Sequence, residues 1–253
     1  AMLIGGSHGM MGAVVLASKA AARVGCGKVK ALIPECGYSI FQTSIPEAMC
    51  LTSGQDFIEE IVVGKGISAI GIGPGIGTEP ATVKVLGEFL NGNQMPIVVD
   101  ADALNILSEH QEWLSLLPEN AILTPHPKEF ERLFGKTKSS CERNMLAMKM
   151  AKDLGIIIVA KDTHTMIALP NGQCFFNLNG NAGLATGGTG DVLCGMITGF
   201  LAQGYSASDA ALLGVFLHGA AGDAAAKEFG QEAMLAGGVV ACIGNAFLLL
   251  SHS

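Results

Sequence analysis

The chain has 253 residues, of which 49% are hydrophobic, so it can bury the core of one large α/β domain or two small ones. A formal net charge of −7 without any basic run argues against a nucleic-acid-binding protein. Seven scattered cysteines that form no CxxC pair argue against a structural zinc site and are typical of a reducing compartment, which predicts a cytoplasmic protein.

The first half of the chain alternates short apolar strands with helices. Glycine-rich loops follow two of the strands, at 5–9 and 73–78. The chain starts within a strand, so we expect a further segment upstream of it. The predicted strands are 2–4, 29–33, 68–72 and 97–99, the predicted helices are 11–24, 57–63 and 82–90, and 35–55 is predicted to be irregular.

The second half continues this pattern and then changes to a hairpin and three helices. The predicted strands are 121–124 and 156–159, the hairpin pairs 166–169 with 174–176, and the helices are 128–134, 141–154, one ending near 203, 206–229 and 233–250. This order predicts an α/β fold, a three-layer α/β/α sandwich around a mostly parallel sheet, with a single domain over 1–253.

The last predicted helix raises the question of a membrane span. Ala233 to Leu250 carries no charge and is long enough to cross a bilayer. Glycines interrupt it, however, and no Lys or Arg flanks either end. We therefore interpret it as a buried packing helix and expect no membrane partner.

The most informative stretch is Asn181 to Asp191, which contains four glycines and opens an apolar helix. Glycines let the backbone approach a ligand closely, and the free N–H groups at a helix start bind anions such as phosphate. Asp191 falls in the first helical turn, where a carboxylate beside an anion site can act as a general base. The alternative is an ordinary helix cap, but a cap needs one such residue rather than a run.

Other polar residues follow predicted strand ends, which share one edge of a parallel sheet and form ligand sites there. For Asp100 we favour a functional role, and for Asp102 we favour helix capping. His126 lies between two prolines, and its position favours function over a structural role. Lys161 follows the next strand. One cleft is therefore predicted to collect these side chains and the glycine loop.

These segments resemble the ADP/ATP-dependent NAD(P)H-hydrate dehydratase family, a branch of the ribokinase-like fold. The resemblance covers nearly the whole chain apart from an N-terminal lead-in, where many family members carry a separate epimerase domain that we do not find here. The matching segments are Gly5-Gly-Ser-x-Gly-Met-x-Gly-Ala13, Gly73-Pro-Gly-Ile-Gly77, Val99-Asp-Ala-Asp-Ala-Leu-Asn105, Thr124-Pro-His-Pro127 and Asn181 to Leu193.

The resemblance implies a reaction and its participants. ADP, or ATP in eukaryotic members, would phosphorylate the added hydroxyl of hydrated NADH or NADPH, and loss of phosphate would restore the dinucleotide and leave AMP when ADP is used. Mg²⁺ is expected at the phosphates, with no ligand assigned, and a homotetramer is the expected assembly.

The resemblance also implies site residues. Asp191 would be the catalytic base that activates the hydroxyl, and with it Ala13, Gly75 and His126 would face the hydrated dinucleotide. Gly190 would lie near the adenylate, and the anion hole would be formed by Gly187, Gly188, Thr189 and Gly190. The remaining nucleotide-binding segment would be Lys161, Asp162, Thr163, His164 and Thr165.

The chain departs from the family pattern at two positions. Asp162 and Lys128 stand where the family usually has glycine. A carboxylate at 162 would repel a nucleotide phosphate unless it points away or reaches magnesium. The cation at 128 would either help to bind an anionic substrate or face the solvent.

Two other functions are compatible with parts of the pattern. A small-molecule kinase of the same fold, acting on a hydroxyl group of a vitamin precursor, would use the same loop and Asp191. A nucleotide-binding module without turnover would need no base, so Asp191 argues against it. The segments at 124–127 and 181–191 favour the dehydratase over the kinase.

Overall fold

A computed structural model describes residues 1–250, whose strands form one nine-stranded sheet with the order β3-β2-β1-β4-β5-β6-β7-β8-β9. Neighbouring strands from β3 through β7 are parallel, and β8 and β9 continue the sheet in antiparallel pairing. The strands are β1 Met2–Ile4, β2 Lys30–Ile33, β3 Met49–Thr52, β4 Ile70–Ile72, β5 Ile97–Val99, β6 Ile122–Leu123, β7 Ile157–Ala160, β8 Met166–Ala168 and β9 Cys174–Phe176.

The helices cover both faces of this sheet. One face carries α1, α2, α7, α8 and α9, and the other carries α3 to α6. Their bounds are α1 Met11–Arg23, α2 Tyr38–Ser44, α3 Pro80–Gly92, α4 Ala101–Glu109, α5 Pro127–Phe134, α6 Ser140–Leu154, α7 Thr189–Ala202, α8 Ala207–Phe229 and α9 Ala236–Leu250.

Alternate residues of the central strands point into the two helical layers. On β5, Val98 packs among α7, α8 and α9, whereas Ile97 and Val99 pack among α3 to α6. These strands are buried on both faces, which explains why the sequence shows them as continuous apolar runs. The predicted α/β/α sandwich with a mostly parallel sheet is confirmed.

Two predictions for the segment between β2 and β4 are wrong. Residues 57–63 form no helix, because their backbone pairs with side chains instead. Ser53 Oγ accepts from the N–H groups of Glu59 and Glu60, and Thr82 Oγ1 donates to the carbonyl of Ile58. A helix is also disfavoured by the β-branched residues that follow Glu60, which are Ile61, Val62 and Val63.

The segment 35–55, predicted to be irregular, contains α2 and the edge strand β3. Met49 and Leu51 of β3 are 44% and 41% exposed, although both are apolar. An edge strand with little burial has no alternating hydrophobic pattern, so the sequence carried no strand signal here.

The C-terminal helix α9 packs against α8, as predicted for a buried packing helix. Val239, Val240 and Ile243 are buried in the core, whereas Leu249 is 60% exposed. No helix within residues 1–250 has both the length and the apolar character required to cross a membrane.

Candidate active site

A cavity of about 820 Å³ opens at the edge of the sheet where the parallel strands end. Loop 177–191 forms most of one wall, with Gly183 set back from the surface. Residues 161–165 after β7 form another part, and Asp100 and His126 line the floor beside them. The structure thus brings together the predicted base, the anion-binding glycines, His126 and the predicted nucleotide segment.

Ala13 and Gly75, predicted to face the substrate, do not line this cavity. They lie against each other, since a Cβ on Gly75 would be 3.1 Å from the Cβ of Ala13. Leu16, one helical turn beyond Ala13, lies near Gly188, because a Cβ on Gly188 would be 2.8 Å from Leu16 Cδ1. The pair therefore lies where α1 meets the loop 73–78, outside the cavity lining.

The glycine loop turns into α7 at Gly188, whose φ of +93° favours glycine. Thr189 begins the helix, so Gly190 and Asp191 occupy positions whose N–H groups have no acceptor within the helix. Together with the helix dipole, N–H groups so placed at the wall of the cavity are suited to binding an anion. The local geometry is that of an anion hole with a carboxylate in its first turn.

Asp191 has an unusual electrostatic environment. Burial raises the pKa of its carboxyl group to about 7, and the negative charge of Asp100 acts in the same direction. Lys161 opposes this shift. A carboxylate whose pKa lies near neutral pH can accept a proton from a hydroxyl group more readily than an ordinary aspartate can.

Lys161 is the cation at the floor of the cavity. Its Nζ donates to Asp100 Oδ1 over 3.0 Å and lies 4.0 Å from Glu129 Oε2. Burial alone would lower the pKa of Lys161, but Asp100 and Glu129 outweigh it and the net shift is upward. Lys161 therefore stays charged. Gly190 leaves space for its ammonium group, since a Cβ at position 190 would be 3.2 Å from Nζ.

Asp100, for which we predicted a function, is 1% exposed and belongs to this network. Its Oδ1 also accepts from Thr124 Oγ1 over 2.6 Å. The chain turns sharply here, with Ala101 at a φ of +50°. Asp100 is the residue before α4 but makes no side-chain capping bond, so capping does not explain its burial.

The prediction that Asp102 caps a helix is wrong. Its Oδ2 accepts from the backbone N–H of Gly77 over 3.0 Å, and its Oδ1 accepts from Asn105 Nδ2. Asp102 lies in the first turn of α4 and therefore ties the second glycine loop to that helix. The contact joins segments 25 residues apart, and the sequence does not reveal it.

His126 caps α5 through a reciprocal pair of bonds with Glu129. His126 Nδ1 accepts from the N–H groups of Lys128 and Glu129, and Glu129 Oε2 accepts from the N–H of His126. The ring Nε2 lies 3.2 Å from Glu129 Oε1. Burial, with Lys161 as a second cause, lowers the pKa of His126, so the ring is neutral at physiological pH. The ring lines the cavity and also has a structural role.

Sequence reasoning missed Glu129, which lines the cavity and is 5% exposed. Burial raises the pKa of Glu129 to about 7, against the opposing effect of Lys161. The spacing of His126 and Glu129 is that of a capping box and could have identified it.

The two departures from the family pattern are explained by their surroundings. Asp162 forms an ion pair with Arg143 of α6, which neutralises its charge beside the cavity. Lys128 is exposed, so of the two alternatives the structure agrees with the solvent-facing one.

Two residues of α8 were also missed. His218 lines the cavity, and its Nε2 donates to the carbonyl of Thr189 over 2.9 Å. Asp223 accepts from the N–H of Gly180 and from Asn181 Nδ2, both over 3.0 Å. Both lie in an Ala/Gly-rich helix, where isolated polar residues at 218 and 223 were the available signal.

The described residues contain no group of three or more His, Cys, Asp or Glu side chains arranged to hold a metal ion. The cavity does offer single carboxylates. Asp100 uses Oδ1 for Thr124 and Lys161, and its Oδ2 lies 3.9 Å from where a Cβ on Gly190 would sit. This arrangement fits Mg²⁺ that takes most of its ligands from phosphates and water.

Comparisons with known proteins identify the family of the chain. A family model described as NAD(P)H-hydrate dehydratase matches residues 1–243. An ADP-dependent (S)-NAD(P)H-hydrate dehydratase of Neisseria meningitidis is 40% identical over 247 residues, covering 94% of this chain and 81% of the relative. A bifunctional NAD(P)H-hydrate repair enzyme of Moorella thermoacetica is also 40% identical over 247 residues and 93% of this chain. The chain spans about half the length of that bifunctional relative, 47%.

Solved structures give the same result. An ADP/ATP-dependent NAD(P)H-hydrate dehydratase from Bacillus subtilis, crystallised with ATP/Mg²⁺, superposes with a TM-score of 0.82 at 31% identity, covering 97% of this chain and 87% of that chain. A mutant phosphofructokinase-2 from Escherichia coli superposes with a TM-score of 0.61 at 13% identity, covering 92% of this chain and 87% of that chain. The second likeness concerns the fold alone.

Proposed function

The chain belongs to the NAD(P)H-hydrate dehydratase family, and from this premise we propose that it is an ADP-dependent (S)-NAD(P)H-hydrate dehydratase, a lyase that restores NADH and NADPH from their hydrated forms. One observation carries the proposal. A single cavity holds both the Asp191 carboxyl group, whose pKa is about 7, and the start of α7, whose free N–H groups suit an anion. The name of the Neisseria meningitidis relative supports ADP as the co-substrate.

Asp191 would act first, on the added hydroxyl group. Its carboxylate takes the hydroxyl proton while the hydroxyl oxygen forms a bond to the terminal phosphorus of the nucleotide. The bond from that phosphorus to the leaving nucleotide breaks, so ADP leaves as AMP. The N–H groups of Gly190 and Asp191 and the cation of Lys161 lie where they would stabilise charge on the transferring group.

Phosphate loss would complete the reaction. The carbon–oxygen bond breaks with its electrons on the departing phosphate, and the proton of the neighbouring ring carbon passes to that phosphate, which restores the dihydropyridine. We assign the dinucleotide contacts to Ala13, Gly75 and His126 and the nucleotide contacts to 161–165 and 187–190. Because Ala13 and Gly75 lie outside the cavity lining, the dinucleotide would have to extend beyond the cavity to contact them as well as Asp191.

We propose Mg²⁺ as the accompanying ion, held by the nucleotide phosphates and by Asp100 through Oδ2. Magnesium, when bound, would neutralise charge on the phosphates. Lys161 keeps the other oxygen of Asp100 occupied, which orients the carboxylate toward the anion hole.

We also propose a single domain in a homotetrameric cytoplasmic protein. One sheet spans the chain from β1 to β9, which supports a single domain, although residues 251–253 of the predicted range lie outside the described residues. Exposed apolar side chains on β9 and just beyond it, including Phe176 and Leu178, support subunit contacts, and seven free cysteines support a reducing compartment. Analytical ultracentrifugation would test the tetramer.

The function is tested by incubating the protein with hydrated NADH, Mg²⁺ and either ADP or ATP while recording reduced-nicotinamide absorbance and phosphate release. We expect recovery that requires nucleotide, releases one phosphate per dinucleotide and is faster with ADP. A stable phosphorylated product, or no recovery from protein that binds ADP in calorimetry, would contradict the proposal and favour a vitamin-precursor hydroxyl kinase.

A further inference from the structure

Helix α8 contacts the cavity loop at several points between 179 and 189. Nearest the start of the loop, Asn179 Nδ2 donates to the carbonyl of Phe216 over 3.0 Å. Gly219 permits this approach, since a Cβ there would overlap the side-chain oxygen of Asn179. A Cβ on Gly222 would likewise be 2.8 Å from three carbon atoms of Leu184. The loop therefore lies directly on the helix.

Asp223 holds the beginning of the glycine-rich stretch. One carboxylate oxygen accepts from the N–H of Gly180 and the other from Asn181 Nδ2. Asn181 in turn accepts from the N–H of Gly183 through Oδ1, which fixes the next turn of the loop. Asp223 does not line the cavity, so its direct contacts are with the loop rather than with a bound ligand.

His218 holds the other end, where the loop becomes α7. A carbonyl oxygen only accepts, so the bond to Thr189 places a proton on Nε2 of His218. Burial lowers the pKa of His218 to about 4, so the ring remains neutral and keeps this tautomer at physiological pH. Thr189 Oγ1 lies 2.6 Å from the carbonyl oxygen of Leu184 and bonds back into the same loop.

We propose that His218 and Asp223 are positioning residues, which hold the two ends of the loop 180–189 against α8 so that the N–H groups at the start of α7 form a rigid anion hole. This inference rests on the proposed function for its catalytic consequence. An anion hole stabilises a transition state best when its donors are fixed before the reaction. A looser loop would therefore weaken the stabilisation of the transition state.

The cleanest test uses Asp223→Asn, which keeps the size of the side chain but replaces one acceptor with a donor facing Asn181 Nδ2. We expect kcat with hydrated NADH, Mg²⁺ and ADP to fall roughly 10- to 50-fold, less than for loss of a direct oxyanion donor, while KM for hydrated NADH stays within about 3-fold. The control is Asp209→Asn, at the start of the same helix and outside the cavity lining, where the Asp209 carboxylate accepts from Ser206 Oγ and its backbone N–H donates to the same oxygen.

His218 is tested with a matched pair of variants. His218→Leu removes the donor at similar volume, and His218→Gln places an amide N–H within reach of Thr189. We expect the leucine variant to lose roughly 10-fold or more in kcat and the glutamine variant to recover most of it. Because both residues act on one loop, the combination of His218→Leu and Asp223→Asn should cost less than the product of the two single effects.

Calorimetry with ADP and Mg²⁺ separates this proposal from the proposed function. If the wild-type protein binds ADP but does not restore NADH, the proposed function fails, and a roughly 10-fold weaker ADP affinity in Asp223→Asn still supports positioning. The positioning role is overturned if Asp223→Asn and His218→Leu match the wild type in kcat and ADP affinity. It is also overturned if Asp209→Asn, at an equal loss of Tm, reduces kcat as much as Asp223→Asn does.

Discussion

At the scale of single residues, the cavity brings together ionisable groups whose charged forms would be more stable in water. Lys161 pairs with Asp100 and Glu129 and acts electrostatically on Asp191, so three carboxyl groups share one largely buried cation. Burial raises the pKa values of Asp191 and Glu129 to about 7, which means that both carboxylates are held at a cost to stability. Such a cost is typical of residues kept for function.

This cost makes a prediction for Asp191→Asn. The native pKa of about 7 lies above the unfolded value of 3.8, so the native state binds the extra proton and the wild type loses stability as pH rises toward 7. The variant lacks this loss. We expect the free energy of unfolding of the variant minus that of the wild type to be larger at pH 8 than at pH 5 by about 2–3 kcal/mol.

Urea unfolding of both proteins at the two pH values measures this difference. The variant should also be at least about 10³-fold slower in restoring NADH, because it cannot accept the hydroxyl proton. A difference in stability that stays constant between pH 5 and pH 8 would show that Asp191 titrates normally.

The ion pair between Arg143 and Asp162 makes a second prediction. Arg143→Met leaves the Asp162 carboxylate uncompensated at the cavity wall, and we expect the Kd for ADP with Mg²⁺ to rise roughly 3- to 10-fold. The double variant Arg143→Met/Asp162→Asn should restore the affinity, since it removes the repelling charge. Calorimetry at low ionic strength checks both values; an affinity that the second substitution fails to restore would contradict this explanation.

The sequence identified the residues that follow strand ends and missed those that reach the site from elsewhere. Asp100, His126 and Lys161 were found because parallel strands deliver their following residues to one edge, and Asp191 was found from the glycine-rich stretch that opens α7. Asp223 contacts a residue 42 positions earlier, and no local pattern encodes such a contact. The prediction for Asp102 failed for the same reason, because its partner is the distant Gly77.

At the scale of elements, the position of α7 depends on close contact with α1. Gly195 and Gly199 of α7 face Ala17 and Ala21 of α1, and a Cβ on Gly195 would overlap the carbonyl oxygen of Ala17. Small residues four apart allow the two backbones to touch, which leaves no space for a methyl group. The start of α7, with its anion hole, is therefore set by packing along the helix.

This contact predicts opposite effects for two glycine substitutions. Gly195→Ala forces α1 and α7 apart and should destabilise the protein by about 3 kcal/mol or more. Gly244→Ala in α9 meets no atom within 4 Å and should stabilise it by about 0.5–1 kcal/mol, because alanine favours a helix. Urea unfolding of both variants provides the comparison, and similar effects at the two sites would refute the packing argument.

Elements with a strong local pattern were predicted well, and weakly buried ones were not. The central strands and the helices with long apolar faces were found because burial dictates their sequence. The edge strand β3 was missed because its side chains are mostly exposed. Residues 57–63 were wrongly assigned to a helix because contacts to Ser53 and Thr82 replace local hydrogen bonds there.

At the scale of the whole molecule, the cavity is assembled from segments that are distant in sequence. Its lining extends from Asp100 to Gly219 and includes loops after β5, β6 and β7 as well as α8 from one helical layer. Such a site exists only in the folded chain. A ligand bound there must therefore stabilise the fold as a unit.

We accordingly expect ADP with Mg²⁺ to raise the free energy of unfolding by about 2.7 kcal/mol at a concentration 100 times its Kd. Thermal unfolding across a series of ADP concentrations tests this expectation. An unchanged Tm under conditions where calorimetry shows binding would place the nucleotide on a part of the chain that does not depend on the global fold.

The central claim is that the largely buried carboxylate of Asp191 acts as the base for nucleotide-driven dehydration. The pH dependence of kcat/KM for hydrated NADH, with ADP and Mg²⁺ saturating, tests it most directly. Because the ionised carboxylate is the active form, the account predicts about a tenfold rise per pH unit below about pH 7 and a plateau above it. A flat profile from pH 5.5 to pH 8, with Asp191→Asn retaining more than about a tenth of the wild-type rate, would contradict the account.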